Sequence, residues 1–334
     1  MPSKTFKLLI ASSAILALGL CAIALLLVGS PGAPPLPHPN GYDDYTRAGN
    51  LIAGDVGNYQ SMDFRTLTNL ISSNEEALNV IRLGLSHTCC VPTELAISNF
   101  RTTIGPLSNT KRIAQLLRAQ GRLLELQNHP GAAAKNYIEG LRFGNEVSRG
   151  GFVIHRLVGI ACEAIAGIPL ARLIDDLDSE EMRKLLPEME RLDRERVSFE
   201  ETRHCEKLFA RHELMRTANP VQLVVGWRQS RDILKQTQIR HNTTVAHERL
   251  IMIEMALRCY QSDHHNMPAN LDQLVPQYLS RVPPDPFNEQ PFRYKTTAGQ
   301  WLVYSVGPDG ADDGGKPITK NSGTNGDITY SSSW

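Results

Sequence analysis

The chain has 334 residues, and its 35 lysine and arginine residues are balanced by 35 aspartate and glutamate residues, so the formal net charge is zero. A balanced charge provides no basic surface of the kind that neutralises nucleic-acid phosphates, and we therefore predict no nucleic-acid partner. Six scattered cysteines are too few for a disulfide-stapled miniature fold or for paired zinc knuckles. A chain of this length forms about two domains, whose cores must come from apolar burial.

The first feature along the chain is an uncharged apolar segment, Leu8 to Val28. A helix of about 20 such residues crosses the hydrocarbon core of a bilayer. Lys4 and Lys7 precede the segment, and no lysine or arginine follows it before Arg47, so the positive-inside rule keeps the N-terminus in the cytoplasm. We predict a single-pass anchor in the cytoplasmic (inner) membrane within residues 1–29, with the bulk of the chain periplasmic or otherwise extracytoplasmic. A cleaved signal peptide is the alternative.

Residues 30–41 contain five prolines and no periodic apolar pattern. Such a composition does not continue a helix and favours an extended chain. We predict a Pro-rich tether that holds the folded part away from the bilayer.

Residues 42–241 show apolar side chains at helical spacing and almost no alternating runs, which predicts a helical domain, either an open array or a closed bundle. The run Val158–Gly167 is apolar enough to suggest a second membrane span. It contains Glu163, however, and a carboxylate is costly in hydrocarbon, so we predict a buried soluble helix. The predicted helices are Asp44–Val56, Asp63–Ser72, Glu75–Ser86, Thr93–Ile104, Lys111–Gln127, Gly131–Ser148, Ile154–Ile174, Ser179–Glu190, Phe199–Thr217 and Val221–Ile239.

Within this domain, Leu116 to Val147 places a helix containing Gly121 before a second helix with Ala133, Tyr137 and Leu141. The segment resembles a tetratricopeptide-type helical pair. Stacks of such pairs usually present a concave surface to peptides or proteins. The resemblance covers about one repeat, and it implies that the helical domain binds envelope or secretion proteins.

The composition changes near residue 242. An amphipathic helix is predicted from Val245 to His264, followed by a short Leu-rich helix. Two strands joined by Ala298-Gly299 follow, with Trp301, Val303 and Ser305 on one face and Leu302, Tyr304 and Val306 on the other. A glycine-rich acidic loop ends the chain. Residues 242–334 are therefore predicted to form a small α+β domain.

This order of motifs resembles the periplasmic domain of the major pseudopilin of type II secretion, over roughly residues 245–330. The prepilin-peptidase motif of that family is missing, and about 200 residues separate the apolar N-terminal segment from the matching helix. The resemblance therefore implies a pseudopilin-like head reused as a module. The matching residues are Tyr260, Asp263, Pro268, Leu271, Leu274, Leu279, Pro284, Asp285, Pro286, Tyr294, Tyr304, Ser305, Gly307, Asp309, Gly310, Asp327 and Ile328.

The acidic loop is the predicted metal site. Carboxylate and carbonyl oxygens are the ligands that calcium takes, and the resemblance implies a calcium site in this loop. By position, Asp309 and Asp327 match the aspartates of the family's loop. A solvated acidic loop without metal is the alternative. The predicted ligands are Asp309, Asp312, Asp313 and Asp327, with backbone carbonyls of Ser305 and Val306.

No sequence motif for catalysis was found. His212-Glu213 and His247-Glu248 lack the second histidine of a zinc-protease helix, so we interpret them as solvated helix residues. We predict a membrane-anchored, extracytoplasmic interaction or scaffold protein with a calcium-stabilised head, not an enzyme. One alternative is a component associated with a type II secretion-like pseudopilus. Another is a hydrolase whose site is not visible in the sequence.

Overall fold

The structure, a computed structural model, describes residues 35–93, 107–217, 220–297, 300–319, 325–332 and 334, without the side chains of residues 211–230. The predicted membrane span at residues 8–28 and most of the predicted helix Thr93–Ile104 lie outside these residues. The described helices are α1 (Gly41–Leu51), α2 (Phe64–Ser73), α3 (Glu75–Ser86), α4 (Leu107–Leu126), α5 (Pro130–Glu146), α6 (Val153–Leu173), α7 (Ser179–Arg194), α8 (Phe199–Thr217) and α9 (Pro220–His264).

The helix starts follow local capping chemistry. The Asn40 side chain accepts a hydrogen bond from the backbone N–H of Tyr42 at 3.1 Å, and Asp63 accepts one from Thr66 at 2.7 Å. At α7, Asp178 and Glu181 form a reciprocal capping box. These bonds satisfy N–H groups that the first turn of a helix leaves unpaired. Sequence therefore places most helix starts within a few residues.

The mainly helical fold class with a small two-stranded sheet is confirmed, but one predicted break is wrong. The helices predicted as Val221–Ile239 and Val245–His264 are a single helix, α9. In the polar stretch between them, Thr243 and Thr244 donate their hydroxyl hydrogens to the carbonyls four residues earlier, so these side chains are satisfied within the helix. The Asn242 amide donates to the carbonyl of Pro286 at 2.9 Å. The domain boundary predicted between residues 241 and 242 falls inside this helix, and the division into domains stays a prediction.

Two hydrophobic cores lie on either side of the α5–α6 pair. The first contains apolar residues of α1, α3 and α4, together with Phe143 and Val147 from the end of α5 and Cys162 of α6. The second contains residues of α5, α6, α7 and α9, and it continues without a break into the C-terminal segment through Leu274, Val303 and Ile328. The α5–α6 pair thus connects the N-terminal helices to the C-terminal module.

In the described part of the chain, one helix is long and apolar enough to cross a membrane, Val153–Asp176, with a mean hydropathy of 1.8. This segment comprises α6 and a short 3-10 turn. It packs against α4, α5 and α9, and it holds Arg156 and Glu163 fully buried. Those contacts agree with the soluble core helix predicted from sequence.

The helical pair predicted at residues 116–147 corresponds to α4 and α5, which pack against each other. A Cβ atom at Gly121 would clash with the ring of Tyr137, so the glycine lets the ring lie directly on α4. The relation to tetratricopeptide proteins itself stays a prediction.

The C-terminal hairpin has the two predicted strands, and the predicted turn residues between them lie outside the described residues. Strand β1 (Arg293–Thr297) pairs antiparallel with β2 (Gln300–Tyr304), with Tyr294 opposite Val303. Both faces of the chain are buried over residues 303–306, since Val303, Tyr304, Ser305 and Val306 are all buried. The acidic loop folds back over the second face, where Ser305 forms an antiparallel bridge with Ile328.

Candidate functional site

Asp327 is the most buried of the predicted loop ligands. One carboxylate oxygen, Oδ2, accepts a hydrogen bond from the backbone N–H of Gly315 at 2.6 Å. The other, Oδ1, is buried without a hydrogen-bond partner among the described residues. Burial raises the pKa of Asp327, backbone hydrogen bonds from Gly315 and Asp313 lower it, and the neighbouring charges of Asp312 and Asp313 raise it. A buried carboxylate oxygen without a hydrogen-bond partner is costly, and Oδ1 is such an atom.

Asp309 and Asp312 face backbone donors in the same loop. Asp309 accepts from the N–H of Ala311 at 3.1 Å and from that of Gly326 at 3.3 Å. Asp312 accepts from the Tyr304 hydroxyl at 2.8 Å and from the Gly314 N–H at 3.1 Å. These hydrogen bonds lower the pKa of Asp312. The described part of the loop is therefore tied by its own backbone amides.

Asp313 has an exposed side chain, whereas Ser305 and Val306 are buried. The Ser305 carbonyl accepts a hydrogen bond from the Ile328 N–H at 3.0 Å. The Ser305 hydroxyl and the Val306 N–H both donate to the Asp285 carboxylate, each at 2.9 Å. These two residues anchor the loop to the rest of the module.

The loop brings its four aspartates into one neighbourhood, yet in the described residues no three His, Cys, Asp or Glu side chains converge as a metal site requires. Asp309 directs its oxygens at backbone amides, and Asp312 faces the Gly314 amide, the Tyr304 hydroxyl and the Arg293 guanidinium. An ion would have to compete with those amides for these carboxylates, while Asp327 Oδ1 is an unpaired acceptor of the kind calcium takes. Calcium binding therefore stays a prediction that rests on Asp327.

Asp285 is a structural anchor that sequence reasoning did not single out for a role. It is 1% exposed, and besides Ser305 and Val306 its carboxylate accepts from the Phe287 N–H at 3.0 Å. The signal was present in the Pro284-Asp285-Pro286 turn, since aspartate in turns commonly accepts hydrogen bonds from nearby backbone N–H groups. A single carboxylate thus holds the turn before the hairpin and the exit of β2.

A second candidate site lies in the interior between α6 and α9. Arg156 and Glu163, both 0% exposed, form a bidentate pair with N···O distances of 2.6 and 3.2 Å. Arg196 lies 3.6 Å from the same glutamate and also pairs with Glu248. We call these four residues the interior ion cluster. Because each charge faces an opposite one, the cluster compensates part of the cost of burying ions.

Several buried polar atoms in and beside the cluster have no hydrogen-bond partner among the described residues. Among the described residues, Nε of Arg156, Nε of Arg196 and Oε1 of Glu248 are buried without hydrogen-bond partners, as is Nδ1 of His241. Burial raises the pKa of Glu248, and burial beside Arg156, Arg196 and Arg249 lowers the pKa of His241 to about 2. At neutral pH the histidine is therefore uncharged.

The interpretation of His247-Glu248 as solvated helix residues is wrong. His247 is 0% exposed and its ring stacks on Trp334 with centroids 4.9 Å apart, and Glu248 is 3% exposed. In the sequence, the cluster is indicated by Arg156 and Glu163, two opposite charges two turns apart on a mostly apolar helix. Their partners Arg196 and Glu248 come from elements distant in sequence and carry no local signal.

The close crossing of α5 and α6 seals the cluster. A Cβ at Gly144 would lie 2.7 Å from the Glu163 Cγ and 2.8 Å from the Gly159 carbonyl. A Cβ at Gly159 would in turn clash with the carbonyl oxygen of Gly144. Only glycine at both positions permits this approach of the two backbones.

Two surface grooves lie outside the cluster and share no residue with it. The first, of about 280 Å³, lies at the junction of α7, α9 and the segment before the hairpin, and it includes Glu190 and Arg281. The second, of about 430 Å³, lies between α6 and the end of the chain. We call the second the tail groove; it is lined by Ile168, Ala171, Arg172, Asp175, Tyr330, Ser331, Ser332 and Trp334.

Comparison with known proteins gave no relative. No protein-family model matches this chain, and no curated protein or solved structure matches it. Functional inference therefore rests on the geometry of the chain itself.

Proposed function

We propose that this protein is a membrane-anchored, extracytoplasmic scaffold that binds other envelope or secretion proteins. In this proposal residues 8–28 anchor the chain in the inner membrane, and the helices carry the pseudopilin-like head. The head is stabilised by calcium. A reporter that is active only outside the cytoplasm, fused after Trp334, tests the topology: activity is expected, and a cytoplasmic result would contradict the anchor.

The observation that carries the proposal is the core shared by the helices and the C-terminal module. Leu250, Ile253 and Leu257 of α9 lie fully buried in the same cluster as Leu170 of α6 and Val303 of β2. The Trp301 indole also donates to Glu254 of α9 at 2.8 Å. Such packing supports a module presented on the helices as a fixed part of the molecule, as a scaffold requires.

The tail groove is the partner surface that we favour, because both the helical part and the C-terminal segment contribute to it. Its wall combines the ring of Trp334 and the exposed Ile168 with the charges of Arg172 and Asp175. An apolar centre with a charged rim is the usual composition of a protein interface. A helix or extended peptide from an envelope protein matches this chemistry.

Site-specific photocrosslinking in intact cells tests the partner proposal. A photoreactive residue at Ile168 is expected to give adducts with envelope proteins, and one at Leu126 is the control, since it is 47% exposed on α4 and absent from the groove. Adducts at both positions, or at neither, would contradict a specific groove. Pseudopilins among the Ile168 adducts would favour the pseudopilus-associated alternative.

The calcium proposal is supported by Oδ1 of Asp327, which is buried and has no hydrogen-bond partner among the residues that the structure describes. A ligand that binds only the folded state raises the melting temperature by mass action. We expect calcium, and not magnesium, to raise the melting temperature of the full chain in detergent, and chelator to reverse the rise. Asp327→Asn is expected to abolish the calcium effect, whereas Asp175→Asn, outside the loop, is expected to retain it. Identical melts with calcium and with chelator would refute the metal site.

A further inference from the structure

The described cysteines are all reduced and buried, but they have different neighbours. Cys162 Sγ lies 3.8 Å from the carbonyl oxygen of Thr110 on α4, and Cys259 Sγ lies 3.6 Å from that of Ser179 on α7. These two thiols therefore occupy separate helix interfaces. Cys90 and Cys205, in contrast, border the same short turn between α5 and α6.

The turn at Arg149-Gly150 is contacted from both sides. The Val91 N–H, which follows Cys90 directly, donates to the Arg149 carbonyl at 2.9 Å. The Cys205 thiol donates to the carbonyl of Gly150 at 3.3 Å. The segment that carries Cys90 and the sulfur of Cys205 thus bind the carbonyls of two adjacent residues, Arg149 and Gly150.

Glu201 is a second neighbour common to both cysteines. It accepts the Gly150 N–H at 2.6 Å, one helical turn before Cys205 on α8. Its charge raises the pKa of Cys90 and of Cys205, and the Cys90 sulfur itself raises that of Cys205. Glu201 and the Arg149-Gly150 turn are thus shared neighbours of the two cysteines.

The adjacent Cys89 is directed elsewhere. Its Cβ lies 3.4 Å from the position of a Cβ on Gly41, at the start of α1, and it is 1% exposed. The Cys90 thiol donates to the carbonyl of Val91 at 3.8 Å, beside the N–H that binds Arg149. The backbone of Cys90 is held by two hydrogen bonds to the Asn40 side chain, at 2.8 and 2.9 Å.

We propose that Cys90 and Cys205 form a disulfide when the chain folds in an oxidising compartment, linking the segment before residue 93 to α8. This proposal rests on the extracytoplasmic location proposed above. A disulfide requires Cα atoms about 4.4–6.8 Å apart, so the two segments must adopt that separation when the bond forms. The bond ties down α8, whose described contacts are with α6 and α9.

The reaction is a thiol–disulfide exchange with an oxidised dithiol or glutathione disulfide. The Cys90 thiolate attacks one sulfur of the oxidant, which releases one thiolate and leaves a mixed disulfide. The Cys205 thiolate then attacks the Cys90 sulfur and releases the second thiolate. Two protein thiols lose their protons to solvent, and the oxidant disulfide is reduced to two thiols.

Burial determines when the disulfide forms. The thiolate is the attacking form, and burial disfavours it. Burial raises the pKa of Cys205 to about 12 and also raises that of Cys90. The folded, reduced protein is therefore expected to oxidise slowly, and the bond is expected to form during folding.

The test is to refold the full chain in detergent with a glutathione redox buffer, block free thiols and map linked peptides by mass spectrometry without reduction. The expected product joins the tryptic peptide of Cys205 to the peptide that contains both Cys89 and Cys90. Cys89→Ser is the matched control and is expected to keep this link, whereas Cys90→Ser is expected to lose it. Cys162 and Cys259 are expected to stay free.

A link that survives Cys90→Ser, a link to Cys162 or Cys259, or fully free thiols would overturn the proposal. As a second measurement, reduction is expected to lower the melting temperature of the wild type by several degrees and to leave Cys205→Ser unchanged. Protein taken from its own cell envelope with thiols blocked at lysis separates the two proposals. A bond that forms on refolding but is missing in cells would contradict the extracytoplasmic location and leave the pairing intact.

Discussion

The interior ion cluster and the C-terminal module both bury carboxylates, and each compensates them differently. In the interior ion cluster, Glu163 and Glu248 face arginine side chains that come from α6 and from the segment after α7. In the C-terminal module, Asp285 and Asp327 face backbone N–H groups and hydroxyls. An arginine partner reaches a buried carboxylate only when distant elements pack together, whereas backbone N–H donors are supplied by the local turn. The first arrangement therefore depends on the whole fold, and the second mainly on one module.

The largest effect is expected from removing a charge in the cluster. Glu163→Ala leaves Arg156 buried without its bidentate partner, and breaking a buried pair in this way costs about 3–5 kcal/mol. Chemical denaturation of the full chain measures the loss. The exposed pair Lys184–Glu180 is the control, and Glu180→Ala is expected to leave the unfolding midpoint unchanged. Equal effects of the two variants would contradict the role given to burial.

The corresponding change in the module removes a carboxylate that accepts backbone hydrogen bonds. Asp285→Ala leaves the Val306 and Phe287 N–H groups and the Ser305 hydroxyl without their acceptor. Since hydrogen bonds to a charged group contribute about 1.5–3 kcal/mol each, we expect a loss of about 3 kcal/mol after partial rehydration. Amide hydrogen exchange is expected to show faster exchange in residues 300–306 than in α4. Uniform destabilisation without this local change would argue against a module-specific anchor.

A third variant tests the helix crossing that encloses the cluster. Gly159→Ala directs a methyl group at the backbone carbonyl of Gly144, which cannot move aside as a flexible side chain does. Overpacking of this kind costs about 1–3 kcal/mol. Gly131→Ala is the matched control, because a Cβ there meets the flexible side chain of Glu181. A thermal melt in which both variants behave alike would contradict a rigid crossing.

The smallest expected effect is a pH dependence from buried histidines. Burial lowers the pKa of His155 to about 4 and that of His241 to about 2, whereas an unfolded histidine has a pKa near 6.5. The unfolded chain therefore binds more protons, so the contribution is fully present above pH 6.5 and is lost as the pH falls. Glu248 acts in the opposite direction, because its raised pKa favours the folded state at lower pH.

The histidine contribution is isolated by comparing variants. The difference in unfolding free energy between wild type and His241→Gln is expected to decrease from pH 7 to pH 5. A constant difference for His241→Gln would mean that this histidine is not desolvated.

The sequence by itself determined the elements whose signals are local. The helix Glu75–Ser86 is predicted with its observed bounds, and the two predicted strands of the hairpin pair antiparallel. Helical spacing, caps and turn residues act within a few residues, so a linear pattern contains them. The acidic loop was likewise visible as a cluster of aspartates, although not the backbone donors that they face.

Tertiary structure alone decided whether α9 is continuous and which charged side chains are buried. Thr243 and Thr244 suggested a break, but packing of α9 against α6 and α7 kept the helix continuous. Glu248 was interpreted as solvated because its partner Arg196 is 52 residues away in the chain. The free energy of a buried ion depends on what surrounds it in space, and that neighbourhood exists only once the elements have packed.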